Sequence, residues 1–170
     1  MSSSAGVAPR LGRSRGVRFW IGAWLPVAVG IGVIALESTP AFGADHTSSP
    51  LRWIYQAIFG AVSDAQWDPI HLYIRKTGHF VGYGTLGLLW LRAWWLALRA
   101  SAFWRCALLG LFGTALVASC DEWHQTFLPN RTGTPWDVLL DSCGATFAIL
   151  LTYAVARAFK AERLKRNHLI

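Results

Sequence analysis

Apolar and polar positions fall along this chain in long blocks. Residues 19–36 carry no charge and would span roughly 27 Å as a helix. A second apolar block, residues 80–91, follows Lys76 and His79. Two more, residues 106–119 and 143–156, bracket a stretch dense in polar groups, CDEWHQTFLPNRTGTPWDVLLDSCG, residues 120–144. Blocks of this length and polarity predict membrane-crossing helices at about 19–36, 79–98, 104–120 and 138–159. The expected fold class is all-α, a four-helix transmembrane bundle.

Local signals refine the ends. Ser49-Pro50 reads as a helix start, and Leu51, Ile54, Ile58 and Val62 then recur at helical spacing. This segment is too short to span, and predicts an amphipathic helix at the interface within the first external loop, residues 37–68. Asp68-Pro69 reads as the start of the next helix. Gly78 and Gly82 form a small-xxx-small pair that permits close helix approach. Residues 98–105 read as a turn and residues 129–133 as a loop. Thr134 followed by Asp137 fits a capping box. The layout is then a disordered basic tail (1–18), a membrane domain (19–159) and a basic cytoplasmic tail (160–170). A cleaved signal peptide is the rival reading of the first segment.

Composition agrees with a membrane protein. Of the 170 residues 54% are hydrophobic and 15% charged, where a soluble domain carries about a quarter charged. Ten Trp suit membrane–water interfaces, Trp123 and Trp136 among them. The formal net charge of +7 does not point to nucleic acid, because the basic residues flank apolar segments and form no patch interleaved with stacking aromatics. Twelve of the 16 Lys and Arg fall at the ends assigned to the inside; Arg52, Arg75, Lys76 and Arg131 fall outside with eight of the nine acids. That asymmetry predicts a multi-pass protein of the bacterial plasma membrane, both termini in the cytoplasm and the polar stretch on the outer face. Cys106, Cys120 and Cys143 have no metal-ligand spacing, and Cys106 and Cys143 read as buried thiols in apolar runs.

Ionisable groups at the edge of membrane segments usually face a bundle interior or a water-filled cavity. Lys76, His79 and Tyr83 share one helix face, Asp121 and Gln125 another beside Glu122, and Asp137, Asp141 and Gly144 a third. With Arg131 these predict one binding site: Lys76, His79, Tyr83, Asp121, Glu122, Gln125, Arg131, Asp137 and Asp141. Lys76 and Arg131 against four acids leave a formal −2 with His79 neutral, which suits a divalent cation, a protonated carboxylate or a cationic ligand. No residue is assigned as a metal ligand, and the cofactor is left unknown. Glu122, Asp121 and His79 are the candidates for acid–base catalysis. A structural reading stands beside this. Lys76 and Arg131 would pair with Asp121 and Asp141 to pin helices together, Asp137 would cap a helix, Gly144 would be a packing glycine and Tyr83 a bonded core residue. His71 and His124 read as loop or interface residues. No P-loop, Rossmann fingerprint, His-Glu-x-x-His, nucleophile elbow or haem motif is present.

Lys76-Thr-Gly-His79-Phe-Val-Gly-Tyr83, Asp121-Glu122-Trp-His-Gln125, Arg131 and Asp137-Val-Leu-Leu-Asp141-Ser-Cys-Gly144 resemble the blocks of the VanZ-like family of bacterial membrane proteins. Gly82 stands where many members carry Glu, and Asp141 where Asn is common. The resemblance implies a cell-envelope role of the kind linked to teicoplanin resistance, and carries over no reaction. Three roles follow as expectations. The first is binding of a membrane lipid or of a lipid-linked or cell-surface polymer headgroup. The second is a lipid-headgroup hydrolase or transferase using Asp121 or Glu122. The third is a structural subunit of an envelope complex, with homo-oligomers as another assembly.

Overall fold

The computed structural model describes residues 15–98, 102–128, 131 and 133–167. The expected disordered tail therefore lies outside the described residues up to position 14, as do parts of the 98–105 turn and of the 129–133 loop and the last three residues. Five α-helices follow in order: α1 (Val17–Glu37), α2 (Ala44–Phe59), α3 (Asp64–Ala97), α4 (Phe103–Gln125) and α5 (Pro135–Asn167), with a 3₁₀ turn at Pro40–Phe42 before α2. Among the described residues there is no strand.

Three helices are long and apolar enough to cross a membrane: α1, α4, and α5 over Pro135–Leu164. Four such spans were expected. The difference is α3, which has the length but dilutes its apolar residues with Gly, Trp, Thr85 and Arg92. The packing explains its composition. α3 touches all four other helices, so much of its surface meets protein. Its Tyr83, Leu86 and Ala93 join Val27 and Ile34 of α1 and Ala118 of α4 in one core cluster, and its Leu91 joins Cys106, Ala107 and Ile149 in a second. Trp24 of α1 lies edge-on to Trp90 and Trp94 of α3. Outward, α1 exposes Leu25, Val29 and Val33, α4 exposes Leu108, Phe112 and Leu116, and α5 exposes Phe147, Leu150 and Leu151. Apolar side chains at helical spacing on the outside of a bundle are what a lipid environment demands.

Several helix ends differ from the expected ones. α3 begins at Asp64, four residues before Asp68, because Ser63 and Gln66 form a capping box: Ser63 N donates to Gln66 Oε1 at 3.1 Å. Pro69 then lies inside α3, where its missing N–H forgoes one early-turn bond. α2 begins at Ala44, with Pro50 likewise inside it, and stops at Gly60, whose φ of 91° favours glycine. Val62 is thus outside the amphipathic helix. α2 buries no residue and exposes Trp53, Ile54, Ile58 and Phe59. α5 runs past the expected end of the fourth span at residue 159 and stays helical to Asn167, through a basic segment of good helix formers.

The small residues do not act where expected. A Cβ built on Gly78 or Gly82 meets nothing within 4 Å. The close approach is between α3 and α5: a Cβ at Gly144 would overlap Phe80 O, and one at Gly87 would lie 2.8 Å from Ala145 Cβ. Gly144 is a packing glycine as expected. Cys106 is buried, but Cys143 and Cys120 are exposed, facing outward from the bundle.

Candidate functional site

The site is built as rungs between α3 and its neighbours. Residues 76, 79 and 83 lie on one face of α3 and descend roughly 10 Å along it. On the first rung Lys76 Nζ donates to Asp137 Oδ1 of α5 at 2.5 Å. On the second, His79 Nδ1 lies 3.5 Å from Asp141 Oδ1, one turn further along α5. On the third, Tyr83 Oη donates to Asp121 Oδ2 of α4 at 3.0 Å. The side chains close off on the way down: Lys76 is 44% exposed, His79 31%, and Tyr83 only 1%. The His79 and Tyr83 rings stack at 6.1 Å.

Most partners are satisfied locally. Gln125 Nε2 adds a second donor to Asp121 Oδ2 at 3.2 Å, across one turn of α4. Glu122 Oε2 accepts from Thr134 N at 2.9 Å, holding the end of α4 against the start of α5. Asp137 N donates to Thr134 Oγ1 at 3.2 Å, and Thr134 Oγ1 donates to Asp137 Oδ2 at 2.9 Å, so Thr134 caps α5 and Asp137 holds that cap in place while it pairs with Lys76. Arg131 Nη2 donates to Glu37 O and Thr39 O, 3.0 Å each, and so ties the α4–α5 loop to the end of α1.

The cationic pairings differ from those expected of a structural network. Lys76 takes Asp137, and Arg131 takes main-chain carbonyls, in place of Asp121 and Asp141. The reason is register. Asp141 sits one turn below Asp137, at the level of His79, out of step with Lys76. Among the described residues, Asp121, Glu122 and Asp141 are all buried and none forms a salt bridge with Lys or Arg.

Two cavities meet here. The first, of about 330 Å³, is polar and is lined by Lys76, His79, Glu122, Gln125, Arg131 and Asp137 together with His71, Arg75 and Asp68. Tyr83 and Asp121 do not reach it; they line a crevice of about 20 Å³ deeper between α1, α3 and α4. The second, of about 540 Å³, is an apolar groove between α1 and α3, lined by Gly30, Val33, Ile34, Ile74, Leu86 and Leu89. Gly78 and Gly82 line it too, so their missing side chains leave space for a groove rather than for a helix. Arg75, His79 and Arg131 line both.

All nine expected site residues thus gather at one end of the bundle. His71, expected as a loop or interface residue, lies buried within α3 on the cavity wall, and Arg75, not expected in the site, lines it too. His71 is buried, stacks on Trp67 and lies 3.1 Å from Thr47 Oγ1 through Nε2. Its pKa is lowered by burial first and then by Arg75. The signal for both was available: residues 71, 75 and 79 follow at i, i+4 and i+8 on one helix face. His124 is peripheral as expected, its Nδ1 3.4 Å from Ser38 Oγ. Trp123 and Trp136 are 67% and 77% exposed, flanking the site where an interface would lie.

No curated protein and no solved structure matches the chain. One family model does, described as VanZ/LLP1, over residues 23–157. The match takes in α1 and the rungs on α3, α4 and α5, well beyond the polar blocks alone, and the chain belongs to the VanZ/LLP1 family of membrane proteins.

Proposed function

We propose that this protein acts in the cell envelope by binding an anionic headgroup of a membrane lipid or lipid-linked surface polymer in the polar cavity. α3 serves as the fourth span. The chain lies in the bacterial plasma membrane with both termini inside and the site on the outer face. The observation that carries the reading is the junction of the two cavities. A headgroup cavity walled by Arg75, Lys76 and Arg131 opens beside an apolar groove in the span region, and Arg75 and Arg131 line both. Arg75 Nη1 and Arg131 Nε are buried donors without a hydrogen-bond partner. Guanidinium groups on a cavity wall suit phosphate oxygens, and the groove suits an alkyl or prenyl chain. Such a ligand would carry both parts, which bears on surface resistance through access to lipid-linked precursors.

The test is native mass spectrometry of the delipidated full-length protein in detergent. The probes are phosphatidylglycerol and a polyprenyl phosphate, against phosphatidylcholine and water-soluble glycerol phosphate. Retention of the two anionic lipids, weakened about tenfold in Arg75→Gln, is the expected result. Equal retention of phosphatidylcholine, unchanged in Arg75→Gln, would sink the reading.

A second reading, a headgroup hydrolase or transferase, is favoured by Glu122, a carboxylate on the wall of the same cavity as three cations. It predicts that deletion and Glu122→Gln strains accumulate the same lipid while the variant protein stays abundant. Lipid profiles matching wild type in both strains would dismiss it.

A further inference from the structure

Asp141 is wholly buried, and neither of its carboxylate oxygens has a hydrogen-bond partner. His79 Nδ1 is also buried without a hydrogen-bond partner, and it lies 3.5 Å from Asp141 Oδ1, the separation of a loose ion pair when His79 is protonated. Glu122 uses one oxygen on Thr134 N and has the other to spare. One ligand atom from each of His79, Glu122 and Asp141 lies within 4.8 Å of the other two. Buried carboxylates are normally hydrogen-bonded, paired with a cation or bound to a metal. Lys76 is engaged by Asp137 and Arg131 by carbonyls, so neither supplies the missing partner.

We infer that His79, Glu122 and Asp141 form a binding site for a divalent transition-metal ion. The donor set of one imidazole and two carboxylates fits zinc or a neighbouring first-row ion better than calcium or magnesium, which take oxygen ligands alone. Ligand atoms around a tetrahedral zinc stand roughly 3.4 Å apart, given bonds of about 2.1 Å. Side-chain rotations of His79 and Glu122, both on the cavity wall, close the remaining gap. Asp141 lies behind the cavity wall, wholly buried and one turn beyond the Lys76–Asp137 rung. Three protein ligands leave a coordination position toward the polar cavity, where a headgroup oxygen or water would sit; that last role rests on the headgroup reading, whereas the ion site does not.

The experiment uses the full-length protein in detergent, stripped with a chelator and titrated with Zn²⁺. Bound metal is counted by inductively coupled plasma mass spectrometry and thermal unfolding is followed with and without the ion. Wild type should bind one ion per chain and gain several degrees in Tm. Asp141→Asn and His79→Gln should each weaken binding at least tenfold and lose the Tm gain, while Asp64→Asn, on the exposed Arg52 pair, should behave as wild type. The two variants guard against one failing to fold. The inference is overturned if stripped wild type takes up no zinc at micromolar concentration, or if both variants bind as wild type does. Lipid retention by metal-stripped protein separates the two readings: if lipid binds and zinc does not, only the ion site fails; if zinc binds and no anionic lipid does, only the headgroup reading fails.

Discussion

Asp137 accepts from Lys76 Nζ at 2.5 Å and from the Thr134 hydroxyl at 2.9 Å, so one carboxylate both fastens α3 to α5 and holds the Thr134 cap of α5. The two roles separate by mutation. Lys76 is partly exposed, and an exposed pair is worth about 0.5 kcal/mol. Asp137→Ala also loses the bond from the Thr134 hydroxyl, which costs about 1 kcal/mol more. Lys76→Met should therefore cost less than half of what Asp137→Ala costs, measured by denaturant titration in detergent. Equal costs would mean that the ion pair dominates.

Gly144 lies where α5 passes the main chain of α3 at Phe80. Gly144→Ala should destabilise by about 2 kcal/mol, since the added methyl meets backbone that cannot turn aside. Gly82→Ala, with open space around it, should be neutral or stabilising by up to about 1 kcal/mol through helix propensity. Gly82→Phe should fold and yet weaken chain-bearing lipids by obstructing the groove. Thermal unfolding and lipid retention on the same three proteins check the set.

These glycines mark what the sequence could and could not tell. Spacing put Lys76, His79 and Tyr83 on one face, and it put the acids of α4 and α5 where they could converge. Period alone carries that information. The choice between Gly78/Gly82 and Gly84/Gly87 as the contact face of α3 depends on which side α5 occupies, a tertiary fact. The pairing of Lys76 with Asp137 rather than Asp141 needs axial register between helices, which no single-helix pattern contains. The start of α3 is a different kind of miss. Ser63-x-x-Gln66 was a readable capping box, and Asp68-Pro69 drew the boundary away from it.

His71 makes the site sensitive to acid. Thr47 Oγ1 donates to Gly43 O at 3.0 Å, so it accepts from His71 Nε2–H, and a neutral imidazole satisfies the contact. Burial, then Arg75, hold the His71 pKa below 6.5, with Asp68 pulling the other way. A base whose folded pKa is depressed contributes stability that is present above its unfolded value near 6.5 and is lost as pH falls below it. Stability should decline from pH 7 toward pH 5, with a shallower slope in His71→Asn. Identical slopes would show that other groups govern the decline.

Orientation is checked with cysteines. In a background lacking the native three, Phe127→Cys lies beside the site and Ala161→Cys near the far end of α5, both at exposed positions. A membrane-impermeant maleimide added to intact cells should label position 127 and spare 161. The reverse pattern would invert the proposed topology and place the cavity on the cytoplasmic side.

α2 is a surface helix with an apolar face. It is lashed to α3 at three levels: Arg52 to Asp64 at 2.6 Å, Ser48 to Trp67 at 2.7 Å, and Thr47 to His71 at 3.1 Å. With Trp53, Ile58 and Phe59 exposed, α2 would set a waterline if it floats at the lipid surface as proposed from its sequence. Its lashings hold that waterline at the His71 rim of the cavity. On the proposed topology, the mouth of the cavity would ride at the level of the headgroups however the spans tilt in a thinner or thicker bilayer.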